Sequence, residues 1–220
     1  MLILRALEHP GEFLALITAL VVGLSVHEFA HAWAALRLGD ATAYAAGRLT
    51  LDPRKHIDPL GALVFLMAGF GWARPVPVDG YRLGRGGMLR VALAGPLSNV
   101  LLATGAAMLV RFGFLGGWQA GGGPAAFLLS FLVFFTLLNL ALAVFNMLPV
   151  APLDGWSVLL GVVPPLVAYR LQGVERYGAL VLLALLVLGS VGGTSVLGML
   201  IWLPARAMAA LLLGSLPGQG

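Results

Sequence analysis

Residues Phe13 to Leu36 read FLALITALVVGLSVHEFAHAWAAL, an apolar run whose only ionisable side chains are His27, Glu28 and His31. On a helix, positions i, i+1 and i+4 lie on one side of the axis. Both imidazoles can therefore reach one metal ion, with the carboxylate beside them. About 20 residues at 1.5 Å each cross the roughly 30 Å hydrocarbon layer of a bilayer, and this run is long enough. Ionisable groups at that depth are costly and call for a reason. A zinc ion with an activated water is one. The stretch predicts a membrane-spanning helix that carries a metal site.

Composition agrees with a membrane setting. Of the 220 residues 60% are hydrophobic and 10% charged, with mean hydropathy +0.98. Soluble domains carry about 25% charged residues, so polar side chains here are too few to coat a globule in water. The net charge of +4 is spread without interleaved aromatics, which excludes a nucleic-acid surface. Cysteine is absent, so disulfide and thiolate chemistry are excluded. Glu8, His9 and Glu12 precede the first apolar run and no small-residue cleavage site ends it, so the first helix is expected to stay in the mature protein.

After an apolar stub over 1–7, the first span runs to about Leu38, where Gly39-Asp40 stops it. Ala41 to Pro53 partly alternates polar and apolar residues and predicts a short strand or hairpin at the membrane surface. Leu60 to Trp72 is apolar but short for a crossing, which suits a re-entrant or interfacial segment. Arg74-Pro75-Val76-Pro77-Val78 is extended by its prolines. The second span contains Ala94-Gly95-Pro96-Leu97-Ser98-Asn99, where Gly95-Pro96 reads as a packing and kink device. A glycine-rich loop follows Arg111. The third span breaks at Pro149 and Pro152 while the chain stays apolar, a backbone tolerated at membrane depth only against protein or water. Gly192-Gly193 separates two last spans, and 214–220 is a tail. The expected architecture is an all-α polytopic membrane protein forming one domain over 1–220. It has about five transmembrane helices, near 12–38, 88–111, 125–148, 177–190 and 195–213. A re-entrant segment and short membrane-surface β-strands complete it.

Placing Arg37 to Lys55, Arg74 to Arg90, Arg170 to Arg176 and Arg206 on one side of the membrane collects 11 of the 13 Lys and Arg there. The positive-inside bias makes that side cytoplasmic in a cell (inner) membrane. His27 precedes Arg37 by ten residues, roughly 15 Å of helix, which sets the pair nearer the cytoplasmic face.

A zinc hydrolase needs three protein ligands, a position for water and a base. His27 and His31 supply two ligands, and Glu28 can take a proton from the water. Asp154 is the strongest candidate for the third. It is an acid in an uncharged apolar region just after a helix break, where a metal would compensate its burial. Its competing role is a cap on a helix starting at Gly155-Trp156. Asp40, Asp52, Asp58 and Asp79 belong to polar loops and Glu175 sits among arginines. Asn146 could donate to substrate or to a developing oxyanion, and Asn99 could hold a substrate backbone or a neighbouring helix. His56 reads as structural or interfacial, and Phe131, Phe134 and Phe135 as lipid-facing or core packing.

With HEFAH in the first span, AGPLSN in the second and NMLPVAPLDG after the third, the chain resembles the site-2 protease family of intramembrane zinc metalloproteases. KHIDPLG and GWARPVPV resemble its compact bacterial branch, which lacks PDZ and CBS domains. The resemblance implies one zinc ion on His27, His31 and Asp154, water activation by Glu28, substrate positioning or transition-state stabilisation by Asn146, and Asn99 near the site. It also implies that the substrate is a transmembrane segment of another protein, and a single-span partner is expected. Ala151 and Asp79-Gly80 depart from the branch outside the catalytic set. Two alternatives use the same residues. A metal transporter or sensor would need polar residues along a whole path across the bilayer, and they cluster toward one side. A non-catalytic membrane scaffold would not need the complete His27-Glu28-His31-Asp154 set.

Overall fold

Pro10–Arg37 forms helix α1, with Glu12 in its first turn and Arg37 in its last, each complementing the helix dipole. Its buried residues Ala19, Gly23, His27, His31 and Ala35 recur every fourth position. The histidines therefore belong to the stripe that meets the rest of the protein, not the lipid-facing side. The helix stops where the sequence predicts. Gly39 takes φ +95, its N–H returns to Leu36 O, and the Asp40 N–H returns to Ala35 O. That double closure needs a residue free to enter positive φ.

The computed structural model describes residues 8, 10–68, 71–112, 124–191 and 196–214. After α1 come two single-turn helices, α2 (Thr42–Ala45) and α3 (Pro53–His56), then α4 (Pro59–Ala68). The long α5 (Gly80–Arg111) is broken at Gly84, and α6 (Pro124–Asn146) follows. The chain continues as α7 (Asp154–Val162), α8 (Pro165–Gln172), a 3-10 turn (Glu175–Tyr177), α9 (Gly178–Val191) and α10 (Val196–Leu213). Four of these are long and apolar enough to cross a membrane: α1, α5, α6 over 127–146, and α10.

One expectation is corrected. The strand expected over 41–53 is helical at both ends. Asp40 Oδ1 accepts from Thr42 N at 3.0 Å and from the Thr42 hydroxyl at 2.5 Å, which starts a helical turn. Gly47 at φ +66 ends the turn with its N–H on Tyr44 O. Further on, Asp52 caps Arg54 N at 3.1 Å with Pro53 in the first helical position. Local caps override weak alternation, and among the described residues the only β pairing is an isolated bridge between Ile57 and Ala73. The span expected near 177–190 falls on α9, an apolar helix whose described residues end at Val191. The stub 1–7, the glycine-rich stretch 113–123, Gly192-Gly193 and the tail beyond 214 lie outside the described residues.

The segment after α3 leaves and returns at one point. Arg74 N donates to His56 O at 2.7 Å beside the Ile57–Ala73 bridge, and Gly61 closes against Trp72. Leu60, Leu63 and Met67 are exposed along α4.

α5 is the central element and packs on α1, α6, α7 and α10. Small residues let these helices close on one another: Ala103 and Ala107 of α5 meet Ala141 of α6 and Ala205 and Ala209 of α10 around Leu140. A second cluster joins Ala19 of α1 to Ala106 of α5 and to Phe135 and Leu138 of α6. The interface of α1 with α5 holds the buried His27, His31 and Asn99.

Candidate metal centre

α1 carries His27 and His31 one turn apart, and both point at α5. Their rings stand at 85° with centroids 4.6 Å apart, and their Nε2 atoms are 3.0 Å from one another. The far nitrogens are both engaged. His31 Nδ1 lies 2.7 Å from Val91 O, a carbonyl that can only accept, so this nitrogen carries the proton. His27 Nδ1 lies 2.6 Å from Asn99 Oδ1. The Asn99 amide cannot be turned round, because its Nδ2 donates to Gly23 O at 3.1 Å and to Asn139 Oδ1 at 3.0 Å. His27 Nδ1 is therefore the donor as well. In the neutral rings both Nε2 atoms then present lone pairs to each other.

Asp154 joins them from α7. Its Oδ2 is 3.1 Å from His27 Nε2 and its Oδ1 is 3.3 Å from His31 Nε2. The sequence left open whether this acid caps a helix. The N-cap is Leu153; Asp154 is the first helical residue, and its carboxylate turns to the histidines. Asp154 Oδ2 is buried without a hydrogen-bond partner. With both rings neutral and the carboxylate ionised, three acceptor groups converge, an arrangement that repels itself unless a cation sits between. Ligand atoms about a tetrahedral zinc at about 2.0–2.2 Å stand roughly 3.3–3.6 Å apart. The separations of 3.0 and 3.1 Å are slightly shorter than that range, and 3.3 Å meets its lower edge. Two imidazoles and one carboxylate match the donor set of zinc hydrolases, which leave a coordination position for water. The residues present fit a zinc ion.

Similar proteins agree with the geometry. The chain is 41% identical over 186 residues to the Bacillus subtilis protein named "Putative zinc metalloprotease YwhC", covering 83% of this chain and 85% of that one. Two mycobacterial proteins carrying the same description under the name Rip2 are each 31% identical. The one from Mycolicibacterium smegmatis is matched over 84% of this chain and 71% of its own length. The one from Mycobacterium tuberculosis is matched over 90% and 76%. The chain belongs to the site-2 protease family of zinc metalloproteases. No family model matches it, and neither does any solved structure.

Around the metalloprotease centre, Glu28 is buried at 8% exposure, next in sequence to His27. Asn99 is fully buried behind His27, and both of its N–H donors are used within the protein. Asn146 ends α6, half-buried, with Nδ2 donating to Leu142 O at 3.0 Å; no hydrogen bond recorded for it reaches the histidines or Asp154. Three further contributors line or support the centre; Asn139 and Arg85 were not singled out in the sequence, and Gly95 was read there as a packing and kink device. Asn139 is one; its signal was an amide within an apolar span, like Asn99. Gly95 is another, because a Cβ there would stand 2.4 Å from His31 Nε2 and 2.6 Å from His27 Nε2. Arg85 is the third. Its guanidinium donates to Leu160 O at 2.6 Å and Val163 O at 2.5 Å, capping the helix whose first residue is Asp154. A single arginine in a basic loop carries no sequence signal for that task.

Proposed function

We propose that this metalloprotease hydrolyses peptide bonds inside the membrane, in transmembrane segments of single-span protein substrates. The observation that carries the reading is the convergence of two imidazole lone pairs and a carboxylate within a membrane-crossing helix bundle, with Glu28 buried alongside. Zinc, when bound there, supplies a Lewis acid that acidifies water to near-neutral pKa and polarises a carbonyl. The protein's own residues do the rest. Glu28 takes the proton from the attacking water and passes it to the leaving amine nitrogen, worth about 10²–10⁴-fold in rate. Asn99 and Val91 O hold the imidazoles in the tautomer that faces the ion. Asn146 exchanges its bond to Leu142 O for one to the substrate backbone. A substrate helix must unwind first, because its carbonyls are already bonded within the helix.

Buried polar side chains of α1 are confined to Ser25, His27, Glu28 and His31, all in its second half. A polar path across the whole bilayer is not supported on this helix, which favours hydrolysis over transport. The distribution of the basic residues supports a centre nearer the cytoplasmic face of a cell membrane. The test is cleavage of single-span substrates by the protein reconstituted in lipid. Glu28→Gln should keep one zinc per chain and lose about 10²–10⁴-fold in rate. A zinc-loaded E28Q variant that cleaves at the wild-type rate would remove Glu28 from the reaction.

A further inference from the structure

Asn139 has no part in the reading above, yet it is fully buried in α6, on the far side of Asn99 from the metal centre. Its hydrogen bonds form a chain in which every direction is forced. Phe135 O can only accept, so the atom 3.0 Å from it is Asn139 Nδ2. Asn139 Oδ1 must then face Asn99, where it takes an Nδ2–H at 3.0 Å. The other Asn99 N–H goes to Gly23 O at 3.1 Å. Only Asn99 Oδ1 remains for His27, and it sits 2.6 Å from Nδ1. The proton on His27 is thereby kept on Nδ1 and the lone pair on Nε2. Gly23 makes room for the chain, since a Cβ there would stand 2.8 Å from Asn139 Oδ1.

We propose that Asn139 is a positioning residue of the metal centre: through Asn99 it fixes the amide orientation that holds the His27 tautomer, and so sets the affinity for zinc. This rests on the reading that His27, His31 and Asp154 hold an ion. The competing role is a plain tie between α6 and α5, which asparagine often provides in membranes. The two differ in what they require. A tie needs any interhelical contact, whereas the orienting role needs an acceptor facing Asn99 and a donor facing Phe135 O. A protonated aspartic acid at 139 meets both needs, and burial favours the protonated form. A leucine of similar volume meets neither.

The experiment is zinc titration of the full chain in lipid nanodiscs, with unfolding of the zinc-free protein followed in parallel. Loss of an outer partner of a metal-bound histidine typically weakens metal binding about 10–100-fold. In Asn139→Leu, Asn99 keeps Gly23 O as an acceptor, so the expected loss is about tenfold, at the low end of that range. Asn139→Asp should stay within about twofold of wild type, since its pattern of donor and acceptor is unchanged. Cobalt-substituted protein should show altered ligand-field bands for N139L and wild-type bands for N139D. The proposal is overturned if N139L binds zinc as tightly as wild type, or if N139L and N139D weaken equally. Should N139L fail to fold, a tenfold loss in folded N139D overturns it alone. Wild-type protein that binds no zinc overturns the metal-centre reading itself, and this proposal with it.

Discussion

Gly95→Ala sets two effects of opposite sign against each other. Alanine is the better helix former by about 1 kcal/mol in a helix interior, and Gly95 lies inside α5. Against that, the new Cβ would stand 2.4 Å from His31 Nε2 and 2.6 Å from both His27 Nε2 and Cε1, where ordinary contact begins at 3.4 Å. The imidazoles would have to retreat by about 1 Å, several times the roughly 0.2 Å that metal–ligand distances tolerate. They cannot retreat freely. Each ring is fixed on its far side, at 2.6 Å to Asn99 and 2.7 Å to Val91 O. Breaking a buried bond of that kind costs about 1–3 kcal/mol. The steric term therefore exceeds the gain in helix propensity, and it falls on the first-coordinating atoms. We expect zinc affinity to fall by more than the roughly hundredfold upper limit seen for outer partners, with helicity by circular dichroism unchanged. Gly105→Ala in the same helix is the control, because nothing lies within 4 Å of its Cβ. It should bind zinc normally. A G95A protein that titrates with one zinc at wild-type affinity would refute the placement of Gly95 against the histidine pair.

Two further outcomes follow from the elements that flank the centre. Burial pushes the Asp40 carboxyl up, but hydrogen bonds from the Thr42 hydroxyl and from the backbone of Asp79 and Thr42 outweigh it and hold the carboxyl below its usual range. A lowered folded-state value means that Asp40 stabilises above the ordinary aspartate range near 4, and that this contribution is lost as acid titrates the folded protein. Asp40→Asn should lower the unfolding temperature at pH 7 and flatten its decline between about pH 4 and pH 2, as measured by thermal scans. Arg85→Gln should weaken zinc binding by a few-fold and Arg85→Lys should restore only part of it, since a lysine lacks the fork that reaches Leu160 O and Val163 O together.

The centre was legible where chemistry and period coincide. His27 and His31 share a stripe with Ala19, Gly23 and Ala35, so the spacing that suits a metal is also the spacing that buries them. Asp154 stood out because the prolines at 149 and 152 end the third span while the chain stays apolar. The stretch over 41–53 was misread because alternation is a weak signal beside Asp40, Gly47 and Asp52-Pro53, whose capping bonds decide the local backbone. Gly95 was read as a packing device, but its partners, like the role of Asn139, were out of reach, since both depend on which residues of other helices come to face them. Asn139 meets Asn99 across 40 positions of sequence, and no local pattern encodes that register.

The two sides of the centre are held by different forces, and this decides how each responds to perturbation. The imidazole side is locked inside the protein by Asn99, Val91 O and the bare backbone of Gly95. The carboxylate side rests on α7, nine residues long, whereas helices below about 12 residues are marginal without tertiary support. Its support is its packing on α5, a close approach at Gly155, where a Cβ would meet Met147 O at 2.3 Å, and the exposed Arg85 at its far end. An exposed guanidinium on helix carbonyls is screened by salt, while buried amide bonds are not. Salt should therefore loosen Asp154 and leave the histidines in place. Zinc affinity of wild-type protein should decline modestly with ionic strength, and R85Q should lose that dependence while N139L keeps it. If R85Q and wild type respond to salt alike, the guanidinium does not govern the carboxylate ligand.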